Sequence, residues 1–151
     1  MTIAFAGHSR IFSKEAVKDK VKEQVRKHAS DADVVCYLGG YGDFDMLCAV
    51  ACKELKKERG GIELVVVAPY LTLSWQAKIK EMKRYGLCDT AIYPPIENAP
   101  PRVAIARRNE WIMANADLVI AYVEQSYGGA YTALKAAKRR KKKIINLCDL
   151  M

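Results

Sequence analysis

At 151 residues and 51% hydrophobic side chains, the chain is long enough for one domain with a full core. A formal charge of +8 and a pI near 9.3 favour acidic partners, phosphorylated small molecules and nucleic acid among them. No apolar run approaches the ~18 residues of a membrane span, and TIAFAG is too short for a secretory signal, so a cytoplasmic protein without a membrane partner is expected.

Residues 2–6 read as a short apolar strand ending in Gly7-His8-Ser9-Arg10. A helix to about residue 29 follows. Ser13 is its expected N-cap, Phe12 and Val17 stand at the spacing of a hydrophobic staple, and Val17, Val21 and Val25 form a narrow apolar stripe. Residues 33–38 are nearly unbroken apolar sequence, as in a strand buried on both faces. Gly39-Gly40-Tyr41-Gly42 then leads into a helix over 43–58, with Asp43 as the economical N-cap and Gly60-Gly61 as the stop.

Residues 62–68 form the third expected strand, closed by Pro69. Ser74 can cap a helix to about residue 85, stopped by Gly86, and 89–93 is a weaker strand. The segment 93–101 holds four of the five prolines and reads as a loop, while Pro100-Pro101 also suit the first turn of a helix to about 116. A strand over 117–123, the pair Gly128-Gly129, a helix over 130–140 and a strand over 143–147 complete the chain. Strands alternating with helices predict an α/β fold: a doubly wound, three-layer αβα domain with about six mostly parallel strands. Ligands of such sheets bind beyond the carboxyl ends of the strands, where the loops 7–12, 39–43, 69–73, 93–101 and 124–130 are expected.

Two of those loops share the order strand, glycine pair, helix, which suits a phosphate. Glycine lets the backbone approach closely, and a helix N-terminus offers free N–H groups and a positive dipole end. Two such turns predict one nucleotide-sized pocket. The first is not a dinucleotide fingerprint, because Asp45 stands where the third glycine of G-x-G-x-x-G would be. Asp45 is either a first-turn carboxylate favoured by the dipole or an acceptor for a ribose hydroxyl or a base. His8, Ser9 and Arg10 can bring an imidazole, a hydroxyl and a guanidinium to the same edge, although spacing alone favours a loop histidine bonded to backbone. One of Arg107 and Arg108 must face outward on a helix. The other, with Asn109, can point to the nucleotide edge, or simply pair with Glu110.

The run KRRKKK at 138–143 reads as a solvated helix end rather than a nucleic-acid surface, since no aromatics interleave with it. Five cysteines without a C-x-x-C pair, beside only two histidines, predict reduced thiols and neither a metal site nor a cofactor. Ser9, Ser74 and Ser126 have no base nearby in sequence. Trp75, Trp111 and Met113 fit either the core or an apolar interface.

The segments AGHSR at 6–10, LGGYGDFDMLCAVACKELKK at 38–57, VVVAPY at 65–70, RRNEWIMANADLVIAYV at 107–123 and SYGGAYTALKAAKRRKKKIINL at 126–147 occur in an order that resembles the SLOG superfamily of Rossmann-like domains, especially its YpsA-like branch. DprA/Smf proteins and the lonely-guy phosphoribohydrolases are more distant relatives. The resemblance implies a nucleotide-derived ligand at the glycine turns, self-association, and in some members cleavage of an N-glycosidic bond or DNA binding. Carried over by position, the site comprises Gly7, His8, Gly39, Gly40, Asp45, Arg108, Asn109, Gly128 and Gly129, to which the residue reading adds Ser9, Arg10 and Tyr41. Two departures stand out. Val50 occupies the place of a glutamate common in the YpsA-like branch, and Ala-Tyr-Thr-Ala follows Gly129 where phosphoribohydrolases carry Thr-x-Glu-Glu. The expectation is therefore a domain that senses or sequesters its ligand. An N-glycosidase acting on a nucleoside 5′-monophosphate is the alternative, with Asp45, Asp43 or Glu124 as substitute carboxylate. DNA binding through the basic C-terminal helix is the third reading.

Overall fold

The computed structural model describes residues 1–94 and 100–151, so the centre of the expected loop at 93–101 lies outside the described residues. The elements run β1 (Thr2–Gly7), α1 (Lys14–Ala29), β2 (Val34–Leu38), α2 (Gly42–Arg59), β3 (Ile62–Val67), α3 (Leu73–Arg84), β4 (Thr90–Ile92), α4 (Pro101–Ala114), β5 (Leu118–Tyr122), α5 (Gly129–Arg139) and β6 (Lys143–Asn146). The strands form one six-stranded sheet in the order β4-β3-β2-β1-β5-β6. Every neighbouring pair is parallel, so the sheet is wholly parallel rather than mostly so. The chain starts mid-sheet, winds out to β4, then crosses to the other side of β1. The switch point therefore lies between β1 and β5, where Gly7 pairs with Tyr122.

Alternation along the strands sorts side chains by size. Ile3, Phe5, Leu38, Leu64, Val66 and Ile120 face α1 and α2, whose Val17, Val21, Val25, Phe44 and Leu55 complete the larger core. Ala4 and Ala6 face the other way, toward Ile112 and Met113 of α4 and Ala133, Ala136 and Ala137 of α5. Small side chains on that face let α4 and α5 lie close over the central strands. Met113 is 2% exposed and Trp111 stacks at a tilt on Tyr37, so both pack within the chain. Among the described residues no helix is long and apolar enough to cross a membrane. The five cysteines are free thiols, with the Cys36 and Cys52 sulfurs 3.4 Å apart in the core.

Several local expectations need correction. Phe12 is 92% exposed while Val17 is fully buried, so the staple does not form and Phe12 instead lines a cavity. Ser13 caps α1 through its carbonyl, which accepts from the Val17 N–H, and not through its hydroxyl. α3 is capped by Thr72 in place of Ser74: the Thr72 hydroxyl accepts from the Trp75 N–H. α2 begins at Gly42, with Tyr41 as N-cap, because Asp43 already lies inside the first turn. There its carboxylate accepts from the Ile11 N–H at 2.9 Å and pairs with Lys14.

Candidate functional site

A cavity of about 730 Å³ opens at the carboxyl edge over the switch point, within the usual size of a small-molecule site. The loops after β1, β2 and β5 line it, with α4 behind and Trp75 of α3 at one end. The expected ligand-binding residues lie on its wall except Gly40, and of the candidate carboxylates Asp45 and Glu124 line it while Asp43 does not. Gly40 adopts φ +71°, and a Cβ there would face the Trp75 ring, Val66 and Met82 instead of the cavity. The positive φ is one that glycine adopts without strain.

The buried centre is Arg108, 3% exposed on α4. Its Nη1 donates to the Gly39 and Val67 carbonyls, each at 2.9 Å, and its Nε donates to Asn109 Oδ1 at 2.8 Å. One side chain thus ties the tips of β2 and β3 to α4. This resolves the choice between neighbours: Arg107 is exposed and Arg108 turns inward. Burial pushes the guanidinium pKa down, opposed by the nearby Asp45 carboxylate. Glu110 pairs elsewhere, with Arg139 and Arg140.

Asp45 is partly buried beside this arginine, and its Oδ2 accepts from the Tyr41 N–H at 3.3 Å. Burial pushes its pKa up to about 6, against the pull of Arg108, the Tyr41 amide and Lys78. Desolvation outweighs a neighbouring cation here. Gly39 leaves room for both side chains, since a Cβ at that position would sit 2.6 Å from Asp45 Oδ2 and 3.4 Å from Arg108 Cζ. Gly7 is equally constrained, by the Phe44 ring at 2.3 Å from such a Cβ.

The two glycine turns differ in what they leave open. At the start of α2, the Asp43 N–H donates to the Ser9 carbonyl at 2.9 Å and the Phe44 N–H to the His8 carbonyl at 3.4 Å. With Asp43 and Asp45 in the same turn, that helix end offers an anion neither these amides nor a favourable field. The two turns, alike in sequence, therefore differ in structure. At the start of α5, Gly128 caps the helix with φ +93°, and the first turn carries no acidic residue. A Cβ on Gly129 would meet nothing within 4 Å, so the approach to this turn is open.

Between the turns, His8 Nε2 accepts from the Glu124 N–H at 2.9 Å, which places the imidazole proton on Nδ1. The histidine is bonded to backbone, as spacing favoured, and lines the cavity as well. The Tyr122 hydroxyl donates to Glu124 Oε1 at 3.2 Å, and the Tyr122 ring stacks on Phe44. Phe12 lies in the expected edge loop 7–12, whereas Trp75 stands inside the helix expected from Ser74, and no sequence signal places it at the cavity. Among the described residues no group of His, Cys, Asp and Glu is arranged to hold a metal ion.

No family model matches the chain, and no curated protein matches it significantly. Solved structures do. DNA processing protein A from Helicobacter pylori, described for its single-stranded DNA binding mode, superposes with a TM-score of 0.62 at 16% identity over 95% of this chain and 63% of its own. DNA processing protein A (DprA) from Streptococcus pneumoniae gives 0.65 at 15% identity over 95% and 48%. The protein TM1055 gives 0.60 at 16% identity over 95% and 71%. The chain thus spans 63% and 48% of the two DprA structures, less than two thirds of either. These likenesses establish a DprA-like, Rossmann-like three-layer fold.

Proposed function

We propose that the domain binds a nucleotide-derived small molecule in the switch-point cavity and senses or sequesters it. The observation that carries this reading is the asymmetry of the two turns. A phosphate is best received at the open start of α5, where Arg10 and Ser9 on the same cavity wall add a cation and a hydroxyl. The sugar then lies over His8, and hydroxyl or N–H donors of the ligand meet the Asp45 carboxylate at the closed turn. Nucleoside 5′-monophosphates and cyclic ADP-ribose-type molecules should therefore raise the melting temperature. A complete lack of response across such a panel would overturn the reading.

Cleavage is the second reading, supported by two carboxylates on the cavity wall, Asp45 and Glu124, with the Asp45 pKa pushed up to about 6 by burial. Release of free base from AMP or GMP, abolished in Asp45→Asn, would favour it over simple binding. The DNA-processing neighbours keep nucleic acid as a third reading. Within the basic run, however, Arg139 and Arg140 are paired with Glu110 and Lys142 bonds the Ala114 carbonyl, so half of the run is already engaged. Its binding would fall steeply with salt.

The glycines give a sharper expectation. Gly129→Val places its side chain in open space at the anion end, so it should keep the wild-type melting temperature and lose nucleotide binding. Gly40→Val must hold a β-branched residue at φ +71°, and should cost about 1–3 kcal/mol of stability. Melts and calorimetric titrations on the same samples separate the two effects. Wild-type affinity in a folded Gly129→Val variant would remove the α5 turn from the site.

A further inference from the structure

The phosphate reading assigns one end of the cavity and leaves the other without an occupant. At that other end Tyr41, on the loop after β2, and Trp75, in the first turns of α3, both line the wall. Each presents a ring face to the same point: Lys78 Nζ lies 5.5 Å from the Tyr41 centroid and 5.2 Å from that of Trp75. Trp75 is fixed from behind, by packing on the core and by the Thr72 cap on its N–H. Tyr41 is 67% exposed, so water covers most of the ring. Burial lowers the Lys78 pKa, and the Asp45 carboxylate opposes that shift.

We propose that Tyr41 and Trp75 clamp the aromatic base of the nucleotide, and that the Lys78 ammonium holds the two rings apart in its absence. The inference rests on the nucleotide reading above. Distance supports it. From the turn after β5 to the start of α3 the wall crosses β1 and β2 to β3, three strand spacings or about 14 Å. A phosphate, a sugar and a base in line cover such a span, whereas a sugar phosphate leaves the aromatic end empty. The chemistry fits as well. A planar base stacks on two π faces, while a lysine ammonium is strongly hydrated and moves out to water on its flexible stem. Displaced, Lys78 stands at the edge of the base, where it can donate to ring nitrogen or carbonyl acceptors.

Calorimetric titration of AMP, GMP and ribose 5-phosphate into the wild type, Tyr41→Ala and Trp75→Phe tests the clamp. Tyr41→Ala removes an exposed ring, keeps the backbone N–H that Asp45 accepts, and should fold. It should bind AMP and GMP about tenfold more weakly or worse, with ribose 5-phosphate unchanged. Nucleotide should also quench tryptophan fluorescence in the wild type, and the quench should vanish in Trp75→Phe although Trp111 remains. Unchanged nucleotide affinity in Tyr41→Ala, or a quench that survives in Trp75→Phe, overturns the clamp. Ribose 5-phosphate binding as tightly as AMP and GMP to the wild type overturns it while leaving the phosphate site standing. Failure of all three ligands to bind the wild type defeats the nucleotide reading itself.

Discussion

Replacing Arg108 with methionine should lower the melting temperature by about 10 °C or more and abolish ligand binding. Methionine roughly fills the volume but donates nothing. The Gly39 and Val67 carbonyls lose their shared donor, and Asp45 loses the guanidinium that opposes its raised pKa. Leaving a buried carbonyl without its donor costs about 1–3 kcal/mol, and two are left here. In a chain of this length each kcal/mol moves the midpoint by about 2–4 °C. Arg108→Lys should not rescue, because a lysine cannot reproduce the guanidinium fork that also holds Asn109. Combining Arg108→Met with Asp45→Asn should recover part of the loss, and the double-mutant cycle measures the coupling. A single Arg108→Met variant within about 1 kcal/mol of the wild type would show that the arginine does not organise the loop tips.

Asp45→Asn should have the opposite effect on stability: at neutral pH the variant should be more stable than the wild type, yet unable to bind. The sign follows from the direction of the shift. The Asp45 pKa is raised from 3.8 unfolded to about 6 folded, so the folded state holds the proton more tightly. Below pH 3.8 both states are protonated and the position costs nothing. Between 3.8 and about 6 the unfolded state ionises first, and wild-type stability falls as pH rises. Above about 6 the full penalty applies, as much as ~3 kcal/mol at 1.36 kcal/mol per pKa unit. Asparagine still accepts from the Tyr41 N–H and carries no charge to desolvate. Denaturant unfolding of both proteins from pH 4 to pH 8 should show the difference opening across that window. A pH-independent difference, or a less stable variant at pH 8, would contradict it. A carboxylate that weakens its own fold is the kind of residue a binding site retains.

The layer architecture was legible because its signals are local. Val17, Val21 and Val25 mark the buried stripe of α1 by spacing alone, and the short apolar stretches at 33–38 and 62–68, bounded by glycine or proline, hold the strands β2 and β3. Glycine and proline marked the ends of elements well, as at Gly60, which closes α2 with φ +70°. What sequence could not supply was any relation between distant segments. Asp43 looked like a cap because nothing near it announces that Ile11 takes its carboxylate. The two glycine turns looked alike because the carbonyls of His8 and Ser9, which close one of them, arrive from another strand. Arg108 and Arg107 were indistinguishable until the small side chains of Ala4 and Ala6 let α4 settle against the sheet. The aromatic end of the cavity escaped notice for the same reason, since Tyr41 and Lys78 meet only through the placement of α3.

The most direct measurement is a titration of the isotope-labelled protein with AMP, followed through its backbone amide resonances. The account predicts that the largest shifts fall on Gly129, Ala130 and Tyr131 in the first turn of α5, with smaller ones at His8 and Ser9. The Asp43 and Phe44 amides, already bonded to the β1 loop, should scarcely move. Shifts centred on Asp43 and Phe44 with α5 silent, or no shifts at all at millimolar AMP (on the order of 1 mM, the weakest affinity at issue), would contradict it.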